Sequence, residues 1–220
     1  MHLARESYPY LVVGMVVAGA GALLGFPFIS GGAVALTGFV AFFFRDPDRA
    51  IPSEAGIIVS PGDGRVVEVL QLPGAKGTRV SIFLSLMDVH ITRAPAAGSI
   101  RSVDYHPGRF LPANLKRAAL ENERNDLTLD TTMGEVRLSQ IAGLVARRIV
   151  CRKQAGDSVS AGERIGLIQF GSRLEVVFPA GFRPVVSTGA RVKGGCSILA
   201  RGPERLIHDE EKEFAQANAG

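Results

Sequence analysis

The pattern of apolar and polar positions changes character once along this chain, and abruptly. No charged residue occurs from Ser7 to Phe44. Two apolar runs fill that stretch, YLVVGMVVAGAGALLGF (Tyr10–Phe26) and ISGGAVALTGFVAFFF (Ile29–Phe44), on either side of Pro27. Each run predicts a helix, because it is too long for a core strand. Such a helix is about 25 Å long, a little short of the roughly 30 Å hydrocarbon core of a bilayer. The pair therefore reads as two short spans or as a hairpin dipping into one leaflet, and either puts both ends on one side. Arg5, Arg45 and Arg49 make that side cytoplasmic. A secretory signal fits poorly, because the apolar stretch is too long and no small-residue cleavage site precedes FRDPDR. A buried soluble hairpin is the competing reading. The Gly- and Ala-rich faces favour two helices packed closely in lipid.

After the proline- and charge-rich RDPDRAIPSEAG (Arg45–Gly56) the period becomes two. Short apolar runs such as GRVVEVLQL, TRVSIFLSL, GEVRLSQIAG, RIGLIQF and RLEVVFPAG alternate with Gly, Pro and Asp turns. The prediction is a mostly β domain, with one short helix or lid in PANLKRAALENER (Pro112–Arg124). Three regions follow: residues 1–45 as a helical-hairpin membrane anchor, 46–205 as the β domain, and 206–220 as a polar tail.

Composition narrows this picture. The 26 glycines and 12 prolines among 220 residues suit a turn-rich β protein. The net charge of +4 rests on scattered arginines without a basic run interleaved with aromatics, which argues against nucleic acid and for an anionic membrane surface. Cys151 and Cys196 form neither a CxxC pair nor a metal-ligand spacing, so no metal site is expected and both read as small core residues in a reducing compartment.

An internal repeat is visible. GDSVSAGERIGLI (Gly156–Ile168) and GARVKGGCSILA (Gly189–Ala200) each read as strand, glycine turn, strand. The half-motif resembles those of biotinyl and lipoyl carrier domains, so the expected fold is barrel-sandwich-hybrid-like. A carrier would need a lysine at an exposed hairpin tip, and Lys193 lacks the sequence context of one.

Three places set reactive groups among apolar residues. Asp63 lies in a Pro-Gly-Asp-Gly turn, where a local backbone hydrogen bond is the structural explanation. Asp88 and His90 flank Val89 and, on a strand, would share a face; a satisfied core histidine is the alternative. Gly171-Ser172 interrupts the strand-like LIQFGSRLEV, where the structural explanation is a β-bulge.

Together these segments resemble the phosphatidylserine decarboxylase family in its short form. The likeness rests on FFRDPDR, PGDGRV, MDVHITRAPAAGSI, ERNDL, GERIGLIQFGSRLEVVFPAG and GARVKGG, spanning about Asp46 to Val192. It implies that the Gly171–Ser172 bond cleaves itself and that Ser172 becomes a covalent pyruvoyl group, the cofactor of decarboxylation. In that reading Ser172 is the nucleophile, His90 its base and Asp63 the group orienting His90. An imidazole titrates near 6.5, so His90 could also return a proton during turnover. The expected substrate is phosphatidylserine in the membrane, or a related serine-headgroup lipid, and the product phosphatidylethanolamine. The two cleavage products would stay together as a heterodimer, and a homodimer of the whole is a further expectation.

The chain departs from the longer relatives at two positions. Arg93 stands where they carry a second histidine, and Arg173 where they carry threonine. Arg93 could instead bind the phosphate or carboxylate of the substrate, and His106 could stand in as base. His106, Arg109, Lys116, Arg117 and Arg124 surround Phe110 and Leu111 in the expected lid, with His106 and Arg109 as candidate substrate contacts. A non-catalytic, membrane-tethered adaptor is the alternative function.

Overall fold

The computed structural model describes residues 2–203, apart from 75, 114–116, 145–147 and 170. The polar tail and Lys116 of the expected lid lie outside the described residues. The chain divides into two compact units, Met1–Asp48 and the remainder from Arg49 on.

The first unit is a helical hairpin. Strand β1 (His2–Leu3) leads through a 3-10 turn (Arg5–Ser7) into α1 (Tyr8–Leu23), α2 (Pro27–Phe43) and strand β2 (Arg45–Asp46). Pro9 and Pro27 sit in the first turns of their helices, where a missing N–H costs nothing. Gly25 ends α1 at φ +77°, a left-handed position that suits glycine. Small residues let the helices approach: a Cβ on Gly14 would lie 2.0 Å from Thr37 Oγ1, and Ser30 Oγ donates to the Ala18 carbonyl at 2.8 Å. The outer surface stays apolar, with Leu23 and Phe28 more than 90% exposed. The stretch Arg5–Leu23 is long and apolar enough to cross a membrane; Pro27–Phe43 is shorter. Pairing of β1 with β2 brings His2 opposite Asp46, so both ends of the hairpin meet.

The second unit is mostly β, as the alternation predicts, and its main sheet curls into a half-barrel. Its strands are β3 (Ile57–Val59), β4 (Gly64–Gln71), β5 (Thr78–Leu84), β6 (Ile91–Arg93), β7 (Gly98–His106), β8 (Arg124–Thr131), β9 (Gly134–Ala142) and β10 (Ile149–Cys151), with α3 (Ala118–Glu121) between β7 and β8. They continue with β11 (Ser158–Val159), β12 (Arg164–Ile168), β13 (Ser172–Phe178), β14 (Arg183–Pro184), β15 (Arg191–Val192) and β16 (Ile198–Arg201). An eight-stranded antiparallel sheet runs β11-β7-β8-β9-β13-β5-β4-β15, and two three-stranded sheets, β10-β12-β6 and β14-β16-β3, complete the unit. One face of the large sheet is the core: Leu174, Val176 and Phe178 of β13 pack with Val80, Ile82 and Leu84 of β5 and Val136 and Leu138 of β9. Each such side chain contributes about 1.5–3 kcal/mol on burial.

The sequence repeat is a structural one. Its two first strands, β11 and β15, form the opposite edges of the eight-stranded sheet, and its second strands, β12 and β16, enter the two small sheets. The duplication extends further than the motif. Val59 N–H donates to the Pro95 carbonyl and Arg93 N–H to the Pro61 carbonyl, both at 2.8 Å, so residues 59–61 repeat what 93–95 do. The turns at Gly162 and Gly195 have φ of +74° and +76°, and Ile51 lies against both.

A Cβ on Gly162 would sit 2.5 Å from Ile51 Cδ1 in a left-handed backbone, whereas Gly156 has φ +94° but open space around it. The left-handed backbone alone costs an alanine about 1–2 kcal/mol. Gly162→Ala should therefore lower the urea midpoint clearly more than Gly156→Ala, with the slope unchanged. Equal losses would show that the Ile51 contact carries no stability.

Candidate active site

Strand β13 begins at Ser172, which pairs with Leu84 on one side and Ala142 on the other. Gly171 before it is outside the ladder and has φ +72°, with no atom within 4 Å of where a Cβ would be. Backbone conformation, not space, is therefore what calls for glycine at 171. Ser172 is fully buried, and its Oγ makes no hydrogen bond among the described residues. Leaving a buried hydroxyl unpaired costs about 1–3 kcal/mol. An orphaned hydroxyl of this kind in a native strand suits a poised nucleophile.

His90 is also buried and lies just before β6. Its Nε2 accepts the Gly171 N–H at 3.1 Å, and its Nδ1 is 3.0 Å from the Asp88 carbonyl oxygen. A carbonyl only accepts, so Nδ1 carries the proton and Nε2 presents its lone pair toward Gly171. The contacted nitrogen is two bonds from the carbonyl carbon of the Gly171–Ser172 peptide. Asp88 and His90 do not share a strand face, because residues 85–88 form a turn. The Asp88 carboxylate accepts from Ser85 N–H (2.8 Å) and Ser85 Oγ (2.6 Å), with Arg191 at 3.2 Å. It locks the turn so that its backbone carbonyl, rather than its carboxylate, meets the imidazole.

Asp63 lies in the turn between β3 and β4. Its carboxylate takes both oxygens to Arg49 Nη2 at 3.0 and 2.8 Å and accepts the Gly194 N–H at 2.8 Å. The turn is tied to β6 by the bond from Arg93 N–H to the Pro61 carbonyl. Arg49 stood out in the sequence only as part of a charged boundary; nothing there linked it to Asp63.

The profile of the family described as phosphatidylserine decarboxylase matches residues 36–200. A phosphatidylserine decarboxylase proenzyme of Nitratidesulfovibrio vulgaris is 48% identical over 171 residues, covering 76% of this chain and 79% of that one. One of Ralstonia pickettii is 43% identical over 208 residues, covering 90% and 94%. This chain belongs to the phosphatidylserine decarboxylase family. The adaptor reading of the sequence gives way to an enzyme family.

In this family member the remaining candidate residues are placed elsewhere. Arg93, in place of the expected substrate contact, is 6% exposed and donates from Nη1 to the Gly162 carbonyl at 2.9 Å, bracing a turn of the repeat. His106 aligns across the ladder with Arg124, Ile141 and Arg173. That row lies on the face opposite Ser172, three strands or about 14 Å away, so His106 cannot serve as the base; it pairs with Asp126 at 3.3 Å. Arg109 is exposed and pairs with Glu121 at 3.3 Å. Arg173, which stands where longer relatives carry threonine, points away from Ser172 by the strand alternation. Its Nε donates to Glu175 at 2.8 Å, and Glu68 stands 3.7 Å from Nη2.

Two groups near the site escaped the sequence reading. Buried Asn122 binds both the N–H and the carbonyl of Leu111 at 2.8 Å, and the Ala142 carbonyl at 2.7 Å. A buried chain runs from Asn125 to Gln140 (3.2 Å) and on to Thr92 (3.1 Å), two residues past His90. Cys151 and Cys196 are half-buried rather than fully buried, and burial pushes the Cys151 thiol pKa up.

Arg173→Leu should lower stability by about 3 kcal/mol, because Glu175 would stay buried with weakened pairing. It should leave any chemistry at Ser172 in place. Chemical denaturation beside a chain-cleavage assay checks both, and an unchanged stability would show that the ion pair contributes nothing net.

Proposed function

We propose that this protein is made as a single-chain precursor, cuts itself between Gly171 and Ser172, and then decarboxylates phosphatidylserine to phosphatidylethanolamine at the membrane. One observation carries the reading: a buried Ser172 hydroxyl, without a hydrogen-bond partner among the described residues, follows a left-handed glycine whose N–H rests on His90 Nε2. The relatives named above are proenzymes, which supports processing.

The steps follow from the groups present. His90 Nε2 lets go of the Gly171 N–H and takes the proton of Ser172 Oγ. Oγ attacks the Gly171 carbonyl carbon, the peptide C–N bond breaks, and the residue-172 nitrogen receives the proton from the imidazolium. The chain is then an ester. Removal of the residue-172 Cα proton expels the Gly171 carboxylate and leaves a double bond in residue 172. Its enamine form tautomerises, water adds, and ammonia departs, so that the second chain begins with a pyruvoyl ketone. The site fits that group: the position is buried, follows the glycine whose N–H rests on His90 Nε2, and lies in a strand held on both sides.

When formed, the pyruvoyl group supplies an electron sink for the pair released as CO2 leaves the substrate. In this reading His90 also returns a proton to the substrate carbon. The chain's own hydrogen bonds keep the two products together, because β13 stays paired with β5 and β9, β15 with β4, and β16 with β3. The apolar hairpin supports membrane attachment. Arg5, Arg45 and Arg49 beside it favour the cytoplasmic face.

Ser172→Ala should remain one chain of 23.3 kDa and be inactive, while the wild type separates into residues 1–171 and a second chain beginning at residue 172. That second chain should resist Edman sequencing and react with borohydride. His90→Ala should cleave about 10²–10⁴-fold more slowly. Cleavage of Ser172→Ala at the same bond would refute self-processing there. Normal cleavage of His90→Ala would take the base role away from His90.

The full chain should also stay with the membrane fraction through a carbonate wash. Quantitative release by carbonate would replace insertion of the hairpin by a shallow surface attachment.

A further inference from the structure

Two glycines flank the Gly171 carbonyl, and they are needed for different reasons. Gly171 needs its left-handed backbone and has open space around it. Gly143, just past the end of β9, is the reverse. Its φ is not in the left-handed region, so any residue could adopt its backbone. Space is what forbids a side chain. A Cβ on Gly143 would lie 2.3 Å from the Gly171 carbonyl oxygen, 3.1 Å from its carbon and 3.2 Å from the Cβ of Ala113. Real Cβ atoms do not approach a backbone oxygen so closely. Ala113, itself buried, closes the other side.

The seat is held from behind. Asn122 donates to the Ala142 carbonyl at 2.7 Å, and Ala142 N–H donates to the Glu123 carbonyl at 2.9 Å. The same Asn122 amide clasps both backbone groups of Leu111, two residues before Ala113. One buried side chain thus fixes both walls, Ala142–Gly143 and Leu111–Ala113.

Resting on the self-cleavage reading above, we infer that Gly143 is a positioning residue for that step: its bare Cα seats the Gly171 carbonyl where Ser172 Oγ can reach it. Attack needs the reacting atoms about 3–3.5 Å apart and aligned, and a displacement of about 1 Å can cost 10²-fold. A methyl at 143 must push the carbonyl, since the groups it meets are backbone and a buried Ala113. Once the bond is cut, Gly171 is a chain end free to move aside, so Gly143 matters to processing and not to turnover.

The test is Gly143→Ala in the full chain, followed on a gel as the single chain converts to two. Cleavage should slow at least tenfold. Decarboxylation by the molecules that do cleave, expressed per mole of pyruvoyl group, should match the wild type in kcat and KM. Stability is compared in uncleavable backgrounds, Ser172→Ala against Ser172→Ala with Gly143→Ala, and should differ little. Wild-type cleavage kinetics in Gly143→Ala overturn the inference. So does a double variant that unfolds or melts far lower, which makes the role structural, and so does an equal fall in turnover per pyruvoyl group. If the wild type itself never becomes two chains, the self-cleavage reading fails instead.

Discussion

On the self-cleavage reading, the chemistry of this protein depends on where one hydrogen-bond ladder stops. Ser172 is the last residue of β13 held by both neighbouring strands, and Gly171 is the first held by neither. A strand buried in the middle of an eight-stranded sheet is among the stiffest elements a small domain offers. Ending it at a left-handed glycine places a peptide bond at the edge of that stiffness, with the serine fixed and the carbonyl before it exposed to attack. His90 then meets Gly171 from β6's side, so Ser172 and His90 are positioned by different elements.

The frame around this point is duplicated, but the chemistry is not. Pro61-Gly62-Asp63-Gly64 and Pro95-Ala96-Ala97-Gly98 occupy equivalent turns, joined by reciprocal bonds to residues 59 and 93. The first turn carries Asp63 with Arg49 and Gly194 on its carboxylate; the second has alanine at the matching position. The symmetry serves stability, closing both edges of the sheet with the same hairpin. A carboxylate in one copy of a turn and a methyl in the other is hard to explain by packing alone, which keeps Asp63 a candidate for a role beyond its turn.

Much of this was legible because period-two alternation is strict where one sheet face is buried. RLEVVF reads directly as Leu174, Val176 and Phe178 inward, and the glycine before Ser172 reads as a break. The repeat was legible because left-handed turns demand glycine at fixed offsets. What stayed hidden depended on long-range register or on backbone groups. The parity that sends His106 to the far face comes from a three-strand chain of pairings no local pattern states. The Asp88 carbonyl that orients His90 has no signature, since every residue owns one. Asn122 looks like any polar residue near a loop until the fold delivers three backbone groups to its amide.

The order of events in the life of the chain follows from the same geometry. Gly171 and His90 are 81 positions apart in sequence and meet only when the large sheet has formed. Ser172 likewise becomes fixed only when β13 has inserted between β5 and β9. An unfolded or half-paired chain has neither a held serine nor a base beside it, so on this reading the peptide is cut only in molecules that have folded. On the same reading the cut falls at the end of β13, just ahead of the residues that pair with β5 and β9. The new chain start would then be the buried first residue of β13, and the strand pairings would keep both pieces together. On this reading a strand end, a left-handed glycine and a buried imidazole together make processing report on folding, and turnover depend on processing.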